Sequence, residues 1–198
     1  MPAWISWKHL DTDLPLGSPV EKKIEVFQAR VWGWQLHIGD LVVNGGKSHD
    51  KKEVLKKFPH SGFAALQILM SYFEMIARYE TGNENSDSKE LFIQGMISVF
   101  PEITTYPYAA TRNLLNKLWA DVRCGFYHLS KPGSGLGVSA IGKPLEFTED
   151  PPHITIDPRK FACAVEEHFQ NYIARLKDPT QTALRATFEK RFNRELES

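Results

Sequence analysis

The residues of this sequence best suited to chemistry are an arginine and a histidine, Arg123 and His128, in the stretch "DVRCGFYHLSKPGSGLG". Arginine can bind anions and histidine can transfer protons near neutral pH, and here only four residues separate them. The stretch ends a predicted helix and breaks into a glycine-rich loop. The two side chains are therefore either a working pair or two polar residues near the end of an ordinary core helix.

Spacing alone does not decide between these alternatives. With nine arginines, seven histidines and gaps of four to six residues allowed, about one such pair is expected by chance. A second match does occur, since six residues separate Arg30 from His37. That pair lies nearly in line on the first predicted helix, where an arginine with a buried stem and a histidine at the core boundary explain both residues.

Context favours Arg123 and His128. Arg123 lies beside Trp119 and Phe126 at the edge of a predicted buried stripe, where a cation is costly unless it is paired. His128 follows at a helix end beside glycines, where a ligand can approach. A regular helix opposes the pairing, because five residues turn about 500° and leave the side chains about 140° apart around the axis and about 7.5 Å apart along it. The pair converges only if the last turn distorts around Gly125, the arginine reaches round, or a symmetric partner completes the site.

Other constellations give weaker indications. The glycines of "GSGLG" (Gly133, Gly135 and Gly137) lack the preceding strand and following helix of a dinucleotide-binding loop, so a connector is the better interpretation. Two cysteines, Cys124 and Cys163, and seven histidines without a His-Glu-x-x-His pattern predict no metal site, and we expect no cofactor. The sequence also has no Gly-x-Ser-x-Gly elbow for a serine nucleophile.

Composition predicts a folded, soluble protein. Hydrophobic residues make up 42% of the chain and aromatic residues 12%, which allows a sizeable core. Basic and acidic residues are equal at 24 each, so no global field attracts nucleic acid and phosphate binding would need a local cluster. With no signal-peptide pattern at the N-terminus and no apolar run near ~20 residues, we expect a cytoplasmic protein without a membrane partner.

The elements that would position the pair are helices. "SPVE" predicts a helix start with Ser18 as the cap, and an apolar stripe continues to Leu41 before Asn44 and two glycines. Further helices are predicted at about 61–79, 89–100, 107–128 and after the cap at Asp157. The connection "GKSHDKKEVLKKFP" is most simply a solvated loop or short helix, and a phosphate-binding patch is the lesser alternative.

Two features complete the predicted architecture. The runs "GVSAI" and "HITI" are expected to pair as a small β-hairpin after the motif helix. The final helix carries only a narrow stripe of Leu184, Phe188 and Phe192 among many charges, which predicts a peripheral helix that could serve a partner or a second copy. The fold class is therefore all-α, an up-down helical bundle with a small β-hairpin insertion.

The predicted motif helix, "LWADVRCGFYH", resembles that of HEPN-domain proteins, small helical domains of bacterial defence and toxin systems with an Arg-x4-6-His signature. The apolar lead-in, the aromatic pair before the histidine and the order of helices, closing with "IDPRKFACAVEEHFQNYIARL", all fit that pattern. The resemblance covers residues 19–176. It implies a HEPN-like helical domain over 1–178 with an N-terminal extension at 1–17, followed by the peripheral helix at 179–198.

The resemblance implies a metal-independent endoribonuclease that forms a homodimer through the motif-helix face. Such an enzyme cleaves RNA by 2′-OH attack and leaves a 2′,3′-cyclic phosphate. His128 would be the general acid and base, Arg123 would bind the scissile phosphate, and Tyr127 would contact nucleotide or accept nucleotidyl modification. Expected partners are RNA or nucleotide and, as in toxin–antitoxin and phage-defence systems, a cognate antitoxin or nucleotidyltransferase.

Two alternatives stay open. Some HEPN domains are catalytically inactive modules that bind nucleotide or a protein partner, and here Cys124 stands where many active members have a polar residue. In the other alternative the helices form an assembly scaffold, and Arg123 and His128 only stabilise the end of their helix.

Overall fold

A computed structural model describes residues 3–15, 17–48, 51–83, 87–125, 135–149 and 152–197, and over these ranges the protein is mainly helical, which confirms the predicted class. The helices are α1 (Val20–Val31), α2 (His37–Asn44), α3 (Gly62–Thr81), α4 (Ser88–Val99), α5 (Tyr108–Lys117), α6 (Pro158–Lys177) and α7 (Thr182–Glu197). The strands are β1 (Gly46–Lys47), β2 (Val54–Leu55), β3 (Leu136–Val138), β4 (Leu145–Glu149) and β5 (Pro152–Ile156). Short 3₁₀ turns occur at Asp11–Asp13 and Pro101–Thr105.

Two of the helical rods contain π-helical segments, in which hydrogen bonds join residues five apart rather than four. One, Trp32–Leu36, joins α1 to α2, and the other, Leu118–Cys124, continues α5. The first is braced by an aromatic ring, because Gly33 lies so close to Trp7 that a Cβ there would overlap the indole. The first π segment separates Arg30 from His37, and the second contains Arg123, so Arg30 and His37 are not joined by a regular α-helix and Arg123 does not lie on one.

Local signals at helix ends fixed the start of α6 better than the start of α1. Asp157 caps α6 as predicted, because its carboxylate accepts hydrogen bonds from the backbone N–H groups of Arg159 and Lys160. The cap predicted at Ser18 is wrong, since that hydroxyl donates to the carbonyl of Pro15 and leaves Pro19 at the cap position. The helix still begins within two residues of the predicted site.

Helix α3 is the centre of the fold, because it packs against α2, α4, α6, α7 and both π segments. Its contact with α4 is a backbone contact, since a Cβ at Gly95 would overlap the main chain of Phe73. A dense aromatic core surrounds it, with Phe73 against Phe92 and Phe161 at ring-centroid distances of 5.6 and 5.7 Å. Among the described residues no helix is both long and apolar enough to cross a membrane.

The predicted β-hairpin is wrong in its pairing. "GVSAI" and "HITI" do meet, but β3 runs parallel to β5, and the antiparallel partner of β5 is β4, a strand that the sequence pattern did not predict. The strand order β3-β5-β4 places β5 in the middle, where Ile154 and Ile156 are fully buried. The lysine-rich connection was predicted as a loop or short helix, but part of it is extended, since β1 and β2 pair there as an antiparallel ribbon.

The prediction of a peripheral last helix is also wrong. Phe188 and Phe192 of α7 are fully buried and pack against Phe27 of α1, at 5.4 and 6.5 Å between ring centroids. An ion pair between the buried Lys23 and Glu189 adds a polar contact to the same interface. The narrow apolar stripe is enough to dock α7, because both phenylalanines enter the core. Helix α7 therefore belongs to the same core as α1–α6.

Truncating one of these rings should therefore destabilise the whole fold. We expect Phe188→Ala to lower the free energy of unfolding by about 3–5 kcal/mol, because it removes buried aromatic area and leaves a cavity. Lys190→Ala on the exposed face of α7 is the matched control and should stay within about 0.5 kcal/mol of the parent. Urea denaturation followed by circular dichroism measures both, and equal stabilities would show that α7 is peripheral.

Candidate functional site

Arg123 lies in the π segment Leu118–Cys124 and is held on two sides. Its Nε donates a hydrogen bond to Glu74 Oε1 at 2.7 Å, and its guanidinium carbon lies 5.5 Å from the centre of the Trp119 ring. The side chains of Arg123 and Glu74 are 22% and 15% exposed, so the pair is largely but not wholly removed from water. The guanidinium is therefore fixed at the protein surface rather than sweeping through solvent.

Three elements position this cation. Glu74 comes from α3, and the Trp119 ring packs edge-on against Phe92 of α4, with 5.4 Å between centroids. Leu118 and Val122 anchor the π segment itself, since both are fully buried. The orientation of Arg123 thus depends on contacts among α3, α4 and the π segment, and not on its own helix alone.

Of the predicted site residues, the structure places Arg123 and does not place the others. Tyr127 and His128 lie outside the described residues, as does Phe126. The separation of about 140° that opposed the pair applies only to a regular α-helix, and the described part of this helix is π-helical from Leu118 to Cys124.

The other Arg/His pair has a structural role. A terminal nitrogen of Arg30 donates to the Tyr79 hydroxyl at 3.0 Å and to Glu195 at 2.6 Å. The same guanidinium lies over the Phe192 ring at 5.2 Å, so it ties α7 to the core. Burial raises the pKa of Tyr79, which keeps this hydroxyl neutral. His37 stacks on Trp32 at 4.4 Å between ring centres, on the other side of the π segment.

A polar network that the sequence pattern did not predict joins α3, α4 and α6. His168 Nδ1 lies 2.9 Å from the Tyr72 hydroxyl, and its Nε2 lies 3.0 Å from Ser98 Oγ. Ser98 Oγ in turn donates to Glu80 at 2.8 Å. The four residues come from three helices with no common spacing, and the sequence signal was only a histidine beside Phe169 on an apolar face.

The direction of these hydrogen bonds excludes a serine nucleophile at Ser98 in this arrangement. Its single hydroxyl proton goes to Glu80, so the histidine Nε2 must carry a proton and donate it to Ser98. Nδ1 is then the acceptor for the Tyr72 hydroxyl. A histidine already protonated on Nε2 cannot accept the serine proton, so the network supports packing among the three helices rather than catalysis.

Within the part of the chain that the structure describes, no group of three or more histidine, cysteine or acidic side chains is placed to hold a metal ion. The two cysteines are not joined: both are free thiols, with Cys124 half-buried in the π segment and Cys163 exposed on α6. Burial and nearby carboxylates raise the pKa of the Cys163 thiol, which lowers its reactivity near neutral pH.

Comparison with protein-family models, with curated proteins and with solved structures gives no match for this chain. Its function must therefore be inferred from the residues and their geometry.

The Arg123–Glu74 contact can be tested by a double-mutant cycle. We expect Glu74→Ala to destabilise the fold by about 1–3 kcal/mol, because it leaves a half-buried cation without its carboxylate. Adding Arg123→Ala should recover part of this loss, which gives a coupling energy of about 1–2 kcal/mol in urea denaturation. Additive single-mutant effects would contradict the contact. Arg112→Ala, at an exposed position of α5 in the same rod, serves as the unrelated control.

The His168 network should make stability depend on pH. Burial lowers the pKa of His168, with Arg175 acting in the same direction and Glu80 opposing it. The unfolded histidine titrates near ~6.5 and therefore binds protons first. The contribution of His168 to the free energy of unfolding should thus be constant above that pH and fall as pH drops from ~6.5 towards the folded-state pKa. Urea titrations across this window should show the fall in the parent.

The matched variant isolates the contribution of this one histidine. His168→Gln keeps a hydrogen-bonding side chain but cannot titrate, so the difference in unfolding free energy between parent and variant should shrink as pH is lowered through ~6.5. A difference that is the same at pH 7.5 and pH 5.5 would show that His168 is not held neutral.

Proposed function

We propose that the protein is a HEPN-type endoribonuclease that acts as a homodimer, with Arg123 and His128 in its active site. The fold proposed with it is the HEPN-like helical bundle. The resemblance of "LWADVRCGFYH" suggests this activity, and the geometry at Arg123 supports it. No metal ion is required in this scheme, because one histidine and one arginine from each copy supply the proton transfers and the positive charge.

The observation that carries the proposal is the fixed guanidinium. Glu74 engages the Nε edge of Arg123 and Trp119 lies under its face, so the protein itself sets the orientation of the guanidinium that would contact a phosphate. A cation oriented before the substrate arrives stabilises transition-state charge without reorganising first, and its partial burial strengthens the effect. The π-helical winding at Arg123 adds support, because such segments inside α-helices are frequent at functional sites.

In the proposed reaction His128 accepts the proton of a ribose 2′-OH as that oxygen attacks the adjacent phosphorus. The bond from phosphorus to the 5′ oxygen breaks, and the leaving oxygen takes a proton from a general acid, for which the His128 of the second copy is the matching group. Arg123 stabilises the charge on the non-bridging oxygens. The products are a 2′,3′-cyclic phosphate and a 5′-hydroxyl.

The direct test is cleavage of a mixed RNA pool by EDTA-treated protein, with end groups identified by mass spectrometry. We expect 2′,3′-cyclic phosphate ends, and His128→Ala should lower the rate at least about 100-fold while leaving the melting temperature unchanged. His153→Ala on β5 is the matched control and should retain activity. Retained cleavage in His128→Ala, or ends other than cyclic phosphate, would overturn the proposed mechanism.

A second candidate, a non-catalytic module that binds nucleotide or a protein partner, is favoured by two observations. Glu74 already offsets the charge of Arg123, which weakens its electrostatic contribution to a transition state. Cys124, beside it in the π segment, donates hydrogen bonds poorly. This candidate is supported if the protein binds nucleotide in an Arg123-dependent manner and cleaves no RNA at high protein concentration.

A further inference from the structure

An exposed aromatic side chain lies in the lysine-rich connection that carries β1 and β2. Phe58 is 65% exposed, although 37 of the residues that the structure describes form a continuous buried core. Val54 on β2 is 77% exposed on the same connection. Exposed aromatic groups beside polar residues are enriched at binding surfaces, because they offer a flat apolar face for contact.

The same connection has an excess of positive charge. From Gly46 to Gly62 there are five lysines and two carboxylates, which gives a net charge of +3 in a chain whose total is zero. Lys56 and Lys57, which flank Phe58 on its N-terminal side, make no ion pair with any residue that the structure describes. Lys22, Lys23 and Lys117, by contrast, each pair with a carboxylate.

Phe58 and its neighbours border a cavity of about 320 Å³, a size in the range of small-ligand sites. Lys57, Phe58 and His60 line one side, and Arg159 at the start of α6 lines another. Side chains pack tightly at the floor, because a Cβ at Gly62 would lie 2.7 Å from the Val138 side chain and 2.8 Å from the Pro158 ring. Two cations and one aromatic ring therefore border a preformed recess, together with Asp157, whose carboxylate caps α6.

The start of α6 departs from the rule for helix charges. Its first turn contains Arg159 and Lys160 and no acidic residue, although the helix dipole disfavours cations there. The Asp157 cap offsets part of this cost through its hydrogen bonds to both backbone N–H groups. Local conflicts of this kind are expected where a residue serves binding rather than stability.

We propose that Lys56, Lys57, Phe58, His60 and Arg159 form a docking surface for single-stranded RNA, here called the ribbon surface. In it Phe58 stacks on a base, the recess holds that base or its neighbour, and Lys56, Lys57 and Arg159 contact the phosphates on either side. A cationic groove with an aromatic platform is the general way that proteins bind single strands without reading their sequence. A duplex does not suit this surface, because its base faces are covered by stacking.

The ribbon surface is separate from the Arg123 site. Gly62 begins α3 at the recess and Glu74 contacts Arg123 twelve residues later, which is about 18 Å along the helix. A stacked strand spans that distance in about five nucleotides, at ~3.4 Å each. The choice of RNA as the ligand rests on the proposed function, whereas the binding of a single-stranded polyanion does not.

The test measures the affinity of the full-length protein for a fluorescein-labelled ten-nucleotide oligouridylate by anisotropy, in EDTA and at several KCl concentrations. The parent for this series carries His128→Ala, so that the RNA stays intact. We expect Phe58→Ala to weaken binding about tenfold through loss of stacking. Replacing both Lys56 and Lys57 by alanine should lower the slope of log Kd against log salt by about 1.4, or ~0.7 for each phosphate that the protein then leaves unneutralised.

Matched controls remove the same groups elsewhere. Trp4→Ala deletes an aromatic ring of almost equal exposure, 63%, and Lys190→Ala deletes an exposed lysine, so neither should change the affinity. Circular dichroism and melting temperature confirm that each variant is folded. Phe58→Ala binding as tightly as the parent would overturn the proposal, as would tighter binding to duplex RNA or to vesicles containing 20–30% phosphatidylserine.

The outcomes separate this inference from the proposed function. Binding that depends on Phe58, in a protein that cleaves no RNA when His128 is present, supports the ribbon surface and counts against the ribonuclease. RNA cleavage that depends on His128, together with an affinity unchanged by Phe58→Ala, supports the ribonuclease and removes the ribbon surface.

Discussion

The structure depends on α3 being packed against helices on several sides, which forces the polar side chains within those contacts to find partners. Glu74 pairs with Arg123 of the π segment, and Tyr79 shares Glu195 with Arg30, which joins α1 to α7. Further along the same helix Glu80 leads through Ser98 to the His168 network. An unpaired polar group in this position would cost more than the net gain from its hydrogen bond, so the pairs determine which helix lies on which side of α3.

This arrangement explains why so few charges of the core are available for chemistry. Lys23 and Arg30 are largely buried, and each forms an ion pair that holds α7 against α1. Arg123 is as exposed as Arg30, at 22% against 23% of the side chain, but it lies in a π segment and its carboxylate partner is on α3 rather than on α7. Among the described residues, the same packing thus leaves Arg123 as an oriented cation at the edge of the core, whereas Lys56 and Lys57 lie in the β1–β2 connection outside it.

The sequence predicted those parts of the fold that local signals control. Asp157 followed by Pro158 identified the start of α6, and the apolar stripes located α3 and α4 to within two residues. The π segments and the parallel pairing of β3 with β5 were not predicted, because ring packing on Gly33 and pairing across the chain are tertiary effects. The position of α7 was wrongly predicted from Phe188 and Phe192 for a related reason, since the width of an apolar stripe does not show how deeply its residues are buried.

At the candidate site, Trp119 indicated that Arg123 lies near the core, but its partner Glu74 is 49 residues away and carries no local signal.

The docking of α7 on α1 has a consequence for how the chain is made. Lys23 and Arg30 can pair with Glu189 and Glu195 only after about 165 further residues have been synthesised. The same delay applies to the packing of Phe27 against Phe188 and Phe192. At ~5–20 residues per second, translation takes roughly 10–30 s to cover that interval. During this interval chaperones and other chains can contact an apolar strip on α1 of the nascent chain. The strip is flanked by Lys23 and Arg30, whose partners on α7 have not yet been synthesised. Final closure of the core is therefore a late event, governed by synthesis rather than by the intrinsic speed of helix formation.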